Sequence, residues 1–158
     1  MTRKIMLLTG GSRGIGLGIA CEAVRRGWFV SLGLRNADTL PEGLTPDAAE
    51  VVGYDATAGG EQDWVAGVMD RHGRIDAVVA CAGLLEHDSI VTGDDAKVLR
   101  LFEVNAHAPR RLAAAAWQPL IDSGAGRIVV MASLSGKRVK SQRSGLYAFS
   151  KFAAVGLA

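Results

Sequence analysis

The sequence predicts an α/β fold in which helices cover both faces of a doubly wound parallel sheet. Short apolar runs alternate along the chain with stretches whose apolar residues recur at helical spacing. The runs are apolar along their whole length, a pattern typical of strands that are buried on both faces. A glycine cluster lies between the first run and the first helical stretch, which also favours this class.

Predicted strands and helices alternate along the chain. In chain order the pattern predicts a strand at residues 5–8, a helix from Ile15 to Val24, strands at 28–34 and 51–54, a helix around Trp64, a strand at 77–80, a long helix over about 94–116, a strand at 128–131 and a helix from Tyr147 to the last residue. Residues 36–50 contain Pro41, Gly43 and Pro46 and are expected to form a loop. Because no repeat or linker interrupts this order, we expect residues 1–158 to form one domain.

Composition and charge exclude several classes of protein. The chain is 49% hydrophobic and 22% charged, with a formal net charge of +2, which is typical of an ordinary globular domain. So small a charge gives no reason to expect a nucleic-acid partner. The apolar stretch near the amino end stops at Gly10, too soon for a signal sequence or a membrane span. We therefore expect a cytoplasmic protein without a nucleic-acid or membrane partner.

Cysteine and histidine usage gives no sign of a metal or redox centre. The two cysteines, Cys21 and Cys81, lie in apolar segments and are expected to be structural thiols. The three histidines do not have metal-ligand spacing, and no metal is expected.

The turn after the first strand has the composition of a phosphate-binding loop. Its glycines let the backbone bend tightly and approach a pyrophosphate, whose charge is held by amides at the start of the following helix. Glycines also occur in turns that bind nothing, but the position between a strand and a helix favours a dinucleotide loop. The candidate contacts are Gly10, Ser12, Arg13, Gly14, Ile15 and Gly16.

The residues that end the second strand favour NADP(H) over NAD(H). A site that prefers NAD commonly has an acidic residue there to bind the ribose hydroxyls, whereas a cation can hold the extra phosphate of NADP. This chain has Leu34 and Arg35, and Arg13 in the glycine loop can approach the same corner. The alternative interpretation is that Arg35 is only a solvated charge at the end of a strand.

A serine, a tyrosine and a lysine form the candidate catalytic set. Tyr147 and Lys151 are four residues apart on a predicted helix, so their side chains share a face, and a nearby cation favours the phenolate form that acid–base catalysis needs. Such a pair occurs by chance in many helices. Ser133 follows a buried strand at the position of an open-sheet ligand crevice, which makes the set more specific.

These residues resemble the motifs of the short-chain dehydrogenase/reductase family, which has a Rossmann-type fold. Thr9-Gly10, Gly14 and Gly16 match the family's glycine loop, and Ser133, Tyr147 and Lys151 match its active-site serine and its Tyr-x-x-x-Lys pair. The remaining matches are Asp55 after the third strand, Cys81-Ala82-Gly83 where the family usually has Asn-Ala-Gly, and Asn105 at the family's helix asparagine.

The resemblance implies an enzyme that moves hydride between NADP(H) and a small carbonyl or alcohol. Ser133 would bind the substrate carbonyl, Tyr147 would be the acid or base, and Lys151 would act on Tyr147 and hold the nicotinamide ribose. Asn105 would hold a water that connects Lys151 to solvent, with a helix kink or capping amide as the alternative interpretation. Asp55 would contact the adenine, and Ala82 and Gly83 would let the backbone pass close to the cofactor. A homodimer or homotetramer through the long helix and the Tyr147 helix is also implied.

Some features depart from the family pattern. Ser135 is an alternative to Ser133, although Gly136 fits the family's Ser-x-x-Gly frame only with Ser133. Family members commonly have about 250 residues, so the domain is expected to be incomplete after the Tyr147 helix, and a dinucleotide-binding fragment without turnover is the rival hypothesis. The loop before Tyr147 is basic because it contains Lys137, Arg138, Lys140 and Arg143. These cations indicate either that the substrate is anionic or, more simply, that the loop is a solvated surface loop.

Overall fold

The computed structural model describes residues 3–139 and 141–158, so Lys140 of the basic loop lies outside the described residues. The strands are β1 (Ile5–Thr9), β2 (Phe29–Leu34), β3 (Ala49–Gly53), β4 (Ala77–Ala80) and β5 (Arg127–Val130). The helices are α1 (Gly14–Arg25), α2 (Glu61–His72), α3 (Asp95–Phe102), α4 (Ala108–Ala115), α5 (Trp117–Asp122) and α6 (Gly145–Leu157). A π-helical segment, Glu103–His107, joins α3 to α4, and short 3₁₀ turns lie at Leu134–Gly136 and Gln142–Ser144.

The five described strands form one parallel sheet in the order β3-β2-β1-β4-β5. The chain first adds strands on one side of β1 and then returns to add β4 and β5 on the other side, so the strand order reverses between β1 and β4. In an open sheet of this kind, ligands bind outside the carboxyl ends of the strands at that reversal. The predicted doubly wound parallel sheet is confirmed.

Two hydrophobic cores lie on opposite faces of the sheet. Successive residues of β1 belong to different cores: Leu7 packs with α2, α4 and α5 on one face, and Leu8 packs with α1 on the other. Because side chains alternate along a strand, a strand with helices on both faces needs apolar residues throughout. This explains why the runs are continuously apolar in the sequence.

The structure refines several predicted boundaries. Residues 36–48 contain no helix or strand, as expected for a loop, but β3 begins at Ala49, two residues earlier than the apolar run suggested. The long helix predicted over residues 94–116 is broken by the π-helical segment, and α5 follows as a separate short helix. The strand before Ser133 was predicted to be buried, and this is wrong for β5: Ile128 and Val129 are 37% and 47% exposed, and β5 is an edge strand with a partner on one side only in the described chain.

Candidate functional site

A cleft of about 1410 Å³ opens at the carboxyl ends of the strands, at the point where the strand order reverses. It is lined by the turn after β1 and by the residues that follow β2, β3 and β4, with α3 and the π-helical segment along one side. Ten of the residues predicted to bind the cofactor line this cleft, namely Gly10, Ser12, Arg13, Gly14, Ile15, Gly16, Arg35, Asp55, Ala82 and Gly83.

Close backbone packing explains the glycines of the turn. Gly10 has a φ of 72°, and a Cβ there would lie 2.6 Å from the backbone nitrogen of Ala82. A Cβ on Gly16 would lie 2.2 Å from the carbonyl oxygen of Gly10. Only glycine at these two positions lets the start of α1 and the residues after β4 pack this closely against the turn.

The start of α1 has the properties of an anion site. Its N-cap residue, Arg13, makes no side-chain capping hydrogen bond, and the first turn contains no acidic residue. The first amides of a helix have no partners within the helix and point along its positive dipole end. Together with the narrow turn beside Gly10, these amides fit the pyrophosphate of a dinucleotide.

The exits of β2 and β3 supply charge at one end of the cleft. The guanidinium groups of Arg13 and Arg35 are both exposed there. Asp55 Oδ1 accepts hydrogen bonds from the amide and the hydroxyl of Thr57, each at 2.8 Å, and these bonds hold the pKa of Asp55 below its usual range. Arg100 of α3 also lines the cleft and was not predicted, since it reads in the sequence as one more charge on an exposed helix.

The exit of β4 joins the cleft to the candidate catalytic residues. The Thr9 hydroxyl accepts hydrogen bonds from the amides of Cys81 and Ala82, both at 3.1 Å, which ties this exit to the end of β1. At the next residue, a Cβ on Gly83 would lie 3.4 Å from Asn105 Oδ1 and 3.6 Å from Lys151 Nζ. Both polar groups therefore lie just behind the backbone that borders the cleft.

The Asn105 side chain is buried and its amide group is fully engaged with protein atoms. Its Nδ2 donates to the Leu84 carbonyl and to the Ser150 hydroxyl, both at 2.9 Å, and its Oδ1 accepts from the Leu84 amide at 2.9 Å. Asn105 lies within the π-helical segment, which matches the alternative interpretation of an asparagine at a helix irregularity. The proposed role of Asn105 in holding a water beside Lys151 stays a prediction.

Lys151 is buried between Tyr147 and the end of β5. Its side-chain ammonium donates to the Met131 carbonyl at 2.8 Å and lies 6.0 Å from the centre of the Tyr147 ring. Burial lowers the pKa of Lys151, and in the described part of the chain no carboxylate forms an ion pair with it. Unlike Met131, neither Lys151 nor Tyr147 is among the residues that line the cleft, although Lys151 Nζ lies next to Gly83 at its border.

Ser133 lies at the start of the turn that follows β5, and close contact with α6 fixes that turn. Its hydroxyl accepts a hydrogen bond from the Ser135 amide at 3.1 Å. A Cβ on Gly136 would lie 2.5 Å from the Lys151 carbonyl oxygen, so this position requires a glycine. The turn that contains Ser133 and Ser135 thus packs directly on the helix that carries Tyr147, and the choice of Ser133 over Ser135 stays a prediction.

A buried charge cluster beside the cleft was missed in the sequence. Arg111 of α4 donates from Nε to Glu61 at 3.0 Å and from Nη2 to the Ala56 carbonyl at 2.8 Å, and it also bonds Glu103. Glu61 in turn accepts from the Tyr54 hydroxyl at 2.8 Å. The only sequence signal was the spacing of Glu103, His107 and Arg111 along one helix face.

Comparison with known proteins agrees with this geometry. The sequence profile of the family described as short chain dehydrogenase matches residues 4–158. The chain belongs to the short-chain dehydrogenase family. Its members are oxidoreductases that bind a nicotinamide dinucleotide and act on small molecules.

Individual relatives match nearly the whole length of this chain. The chain is 32% identical to agropine synthesis reductase of Rhizobium rhizogenes, a match that includes 97% of this chain and 36% of the relative. A short-chain dehydrogenase from Streptomyces avermitilis superposes with a TM-score of 0.92 at 30% identity over 99% of this chain and 58% of that one. A metagenomic short-chain oxidoreductase solved in complex with NADP gives a TM-score of 0.87 at 28% identity, over 99% of this chain and 72% of that one.

The match extends over only part of these relatives, since the chain spans about a third to three-fifths of the length of the agropine and Streptomyces proteins.

Across residues 3–139 and 141–158, no group of three or more His, Cys, Asp or Glu side chains is placed to hold a metal ion. No helix of that part of the chain is long and apolar enough to cross a membrane.

Proposed function

We propose that the protein is an NADP(H)-dependent oxidoreductase that interconverts a carbonyl group and an alcohol on a small molecule, with Tyr147 as the acid–base group. The observation that carries the proposal is the buried Lys151 ammonium, 6.0 Å from the Tyr147 ring centre and directly behind the cleft. Because no carboxylate of the described chain forms an ion pair with this ammonium, its charge is available to the phenol and to a ribose in the cleft.

Each candidate residue has a separate task in this proposal. A bound nicotinamide supplies the hydride. The Ser133 hydroxyl donates a hydrogen bond to the substrate carbonyl oxygen, and Tyr147 gives that oxygen its proton in the reduction direction. Lys151 stabilises the phenolate left behind on Tyr147 and binds the ribose next to the nicotinamide. Asn105 keeps the residues after β4 in place through its two hydrogen bonds to Leu84.

The preference for NADP(H) rests on the two exposed cations at the adenosine end. Arg35 follows β2 directly, and Arg13 comes from the glycine turn on the other side of the same corner. Two guanidinium groups hold a phosphate monoester in forked hydrogen bonds, which a pair of ribose hydroxyls does not offer. The similarity to an oxidoreductase solved with NADP points the same way.

A homo-oligomer in the cytoplasm is also part of the proposal. Phe149 and Phe152 on α6 are 55% and 45% exposed. Exposed aromatic side chains on one helix favour contact with a second copy of the chain. Equilibrium sedimentation of the purified protein measures this directly, and a dimer or tetramer is expected.

The Tyr147→Phe variant tests the proposed chemistry. Phe retains the ring but lacks the proton to be transferred, so kcat for ketone reduction should fall at least about a hundredfold, the scale of general acid catalysis. The Kd for NADPH, measured by fluorescence titration, should change less than about threefold, because the tyrosine acts on the substrate. A variant that keeps more than half of the wild-type kcat rules out the acid role. NADPH binding by the wild type without reduction of any carbonyl compound would instead favour a binding protein without turnover.

A further inference from the structure

Arg111 links three segments around one end of the cleft. It lies on α4, and its side chain is only 22% exposed. The Nη2 hydrogen bond ends on the carbonyl of Ala56 after β3, the Nε bond ends on Glu61 at the start of α2, and Nη1 bonds Glu103 where the π-helical segment begins. No other described side chain bonds all three of these segments.

Two of the linked segments border the adenosine end of the cleft. Tyr54 and Ala56 line the cleft next to Asp55, and Glu103 and Val104 line it from the start of the π-helical segment. Ala56 and Val104 also border a small gap beneath the cleft floor, so the two sides approach each other there. The distance between the Ala56 side and the Glu103 side of the cleft therefore depends on Arg111, whose side chain bonds both.

The electrostatics of the cluster keep Arg111 in place. Burial is the strongest single influence on Glu61 and tends to raise its pKa, but the hydrogen bonds from Arg111, from the Glu61 backbone amide and from Tyr54, together with the positive charge of Arg111, outweigh burial, and the pKa of Glu61 lies below its usual value. Arg111 and Glu61 are thus both charged at neutral pH, and the Glu61 side chain is only 5% exposed. Burial raises the pKa of Tyr54, which stays protonated and donates to Glu61. A buried charged pair with this many hydrogen bonds has little freedom to rearrange.

We propose that Arg111 is a positioning residue that sets the width of the adenosine end of the cofactor cleft. The inference rests on the proposed dinucleotide function and deepens it. Arg111 touches no reacting group and acts through Ala56 and Glu103. Its loss therefore weakens binding of the adenosine half of the cofactor and leaves the nicotinamide half, on the side of Gly83, largely unaffected.

The test compares two halves of the cofactor on matched variants. Arg111→Met removes the donors but keeps an unbranched apolar chain in place of the arginine stem, and Arg110→Met is the control because Arg110 is exposed and bonds only His107, at 3.3 Å. Calorimetry measures the Kd values of adenosine 2′,5′-bisphosphate, of reduced nicotinamide mononucleotide and of NADPH. For Arg111→Met we expect about tenfold weaker binding of the bisphosphate and of NADPH, with the mononucleotide changed less than about twofold. Arg110→Met should leave all three Kd values unchanged.

A second variant keeps the proposal testable if Arg111→Met does not fold. Glu103→Ala removes the acceptor of the Arg111 bond on one side of the cleft and leaves the Glu61 pair intact. It should weaken binding of adenosine, an uncharged probe that does not sense the lost carboxylate charge, at least about threefold without affecting the mononucleotide. Equal losses for both half-cofactors, or no loss for either, would overturn the positioning role. If the wild type itself binds neither half-cofactor nor NADPH, it is the proposed function that fails, and that outcome is separate from failure of the Arg111 inference.

Discussion

Replacing Gly16 with alanine tests whether the glycine turn is shaped to hold a pyrophosphate. An alanine Cβ at this position would lie 2.2 Å from the Gly10 carbonyl oxygen, whereas ordinary contact begins at 3.4 Å. The turn must move by about 1 Å, and overpacking of this kind commonly costs about 1–3 kcal/mol. The same shift pulls the α1 amides away from the phosphates. Losing two such charge-assisted bonds corresponds to roughly a hundredfold in Kd.

Gly18 provides a matched control within the same helix. A Cβ there would meet no atom within 4 Å, and alanine is a better helix former than glycine by about 1 kcal/mol. Gly18→Ala should therefore raise the melting temperature and leave NADPH affinity unchanged, whereas Gly16→Ala should lower both. Fluorescence titration and thermal unfolding of the two variants supply the comparison. If Gly16→Ala binds NADPH as tightly as wild type, the turn is not the phosphate site.

Three further predictions concern other parts of the chain. Arg35→Ala should reduce the preference for NADPH over NADH by about 10- to 100-fold, measured as the ratio of the two Kd values, and an unchanged ratio would count against the phosphate clamp. Burial tends to raise the pKa of Asp76, but hydrogen bonds from Arg74 and from the Ile5 amide, with the nearby positive charges, outweigh burial and lower this pKa. The ionised Asp76 therefore stabilises the fold above about pH 4, and this stabilisation is lost as the pH falls through the lowered pKa of Asp76. Asp76→Asn should therefore destabilise the protein by about 2 kcal/mol at pH 7 and flatten the acid limb of its stability profile in urea titrations, while a limb as steep as that of wild type would refute the assignment. Ser133→Ala should reduce ketone reduction at least about tenfold, whereas Ser135→Ala should not, and the opposite ranking in steady-state assays would select the other serine.

The strands and the cofactor turn could be predicted from the sequence because each has a local cause. The run from Ile5 to Leu8 is apolar throughout since helices cover both of its faces. Gly16 is required by a backbone contact with Gly10 in the same turn, and Gly10 is favoured by its own positive φ of 72°, so their pattern is visible in a short window of sequence. The doubly wound sheet and the residues that line its cleft follow from these two kinds of signal.

Features that depend on contacts between distant segments could not be predicted. The π-helical segment leaves the apolar spacing of the long helix almost unchanged, so periodicity gave one continuous helix over residues 94–116. Arg111 read as an ordinary helix charge because its partners Ala56 and Glu61 are at least 50 residues away in the chain. The Lys151 bond to the Met131 carbonyl is likewise set by how α6 lies across the end of β5.

Transfer of deuterium from the cofactor shows whether the protein reduces a carbonyl group with hydride from NADPH. The protein is incubated with NADPH that carries deuterium at both hydrogen positions of nicotinamide C4 and with a panel of ketones and aldehydes, and the products are analysed by mass spectrometry. The account predicts an alcohol that carries one deuterium on its carbinol carbon, formed by the wild type and at least about a hundredfold more slowly by Tyr147→Phe. Bound cofactor with no deuterium in any product, or equal rates for the two proteins, would contradict it.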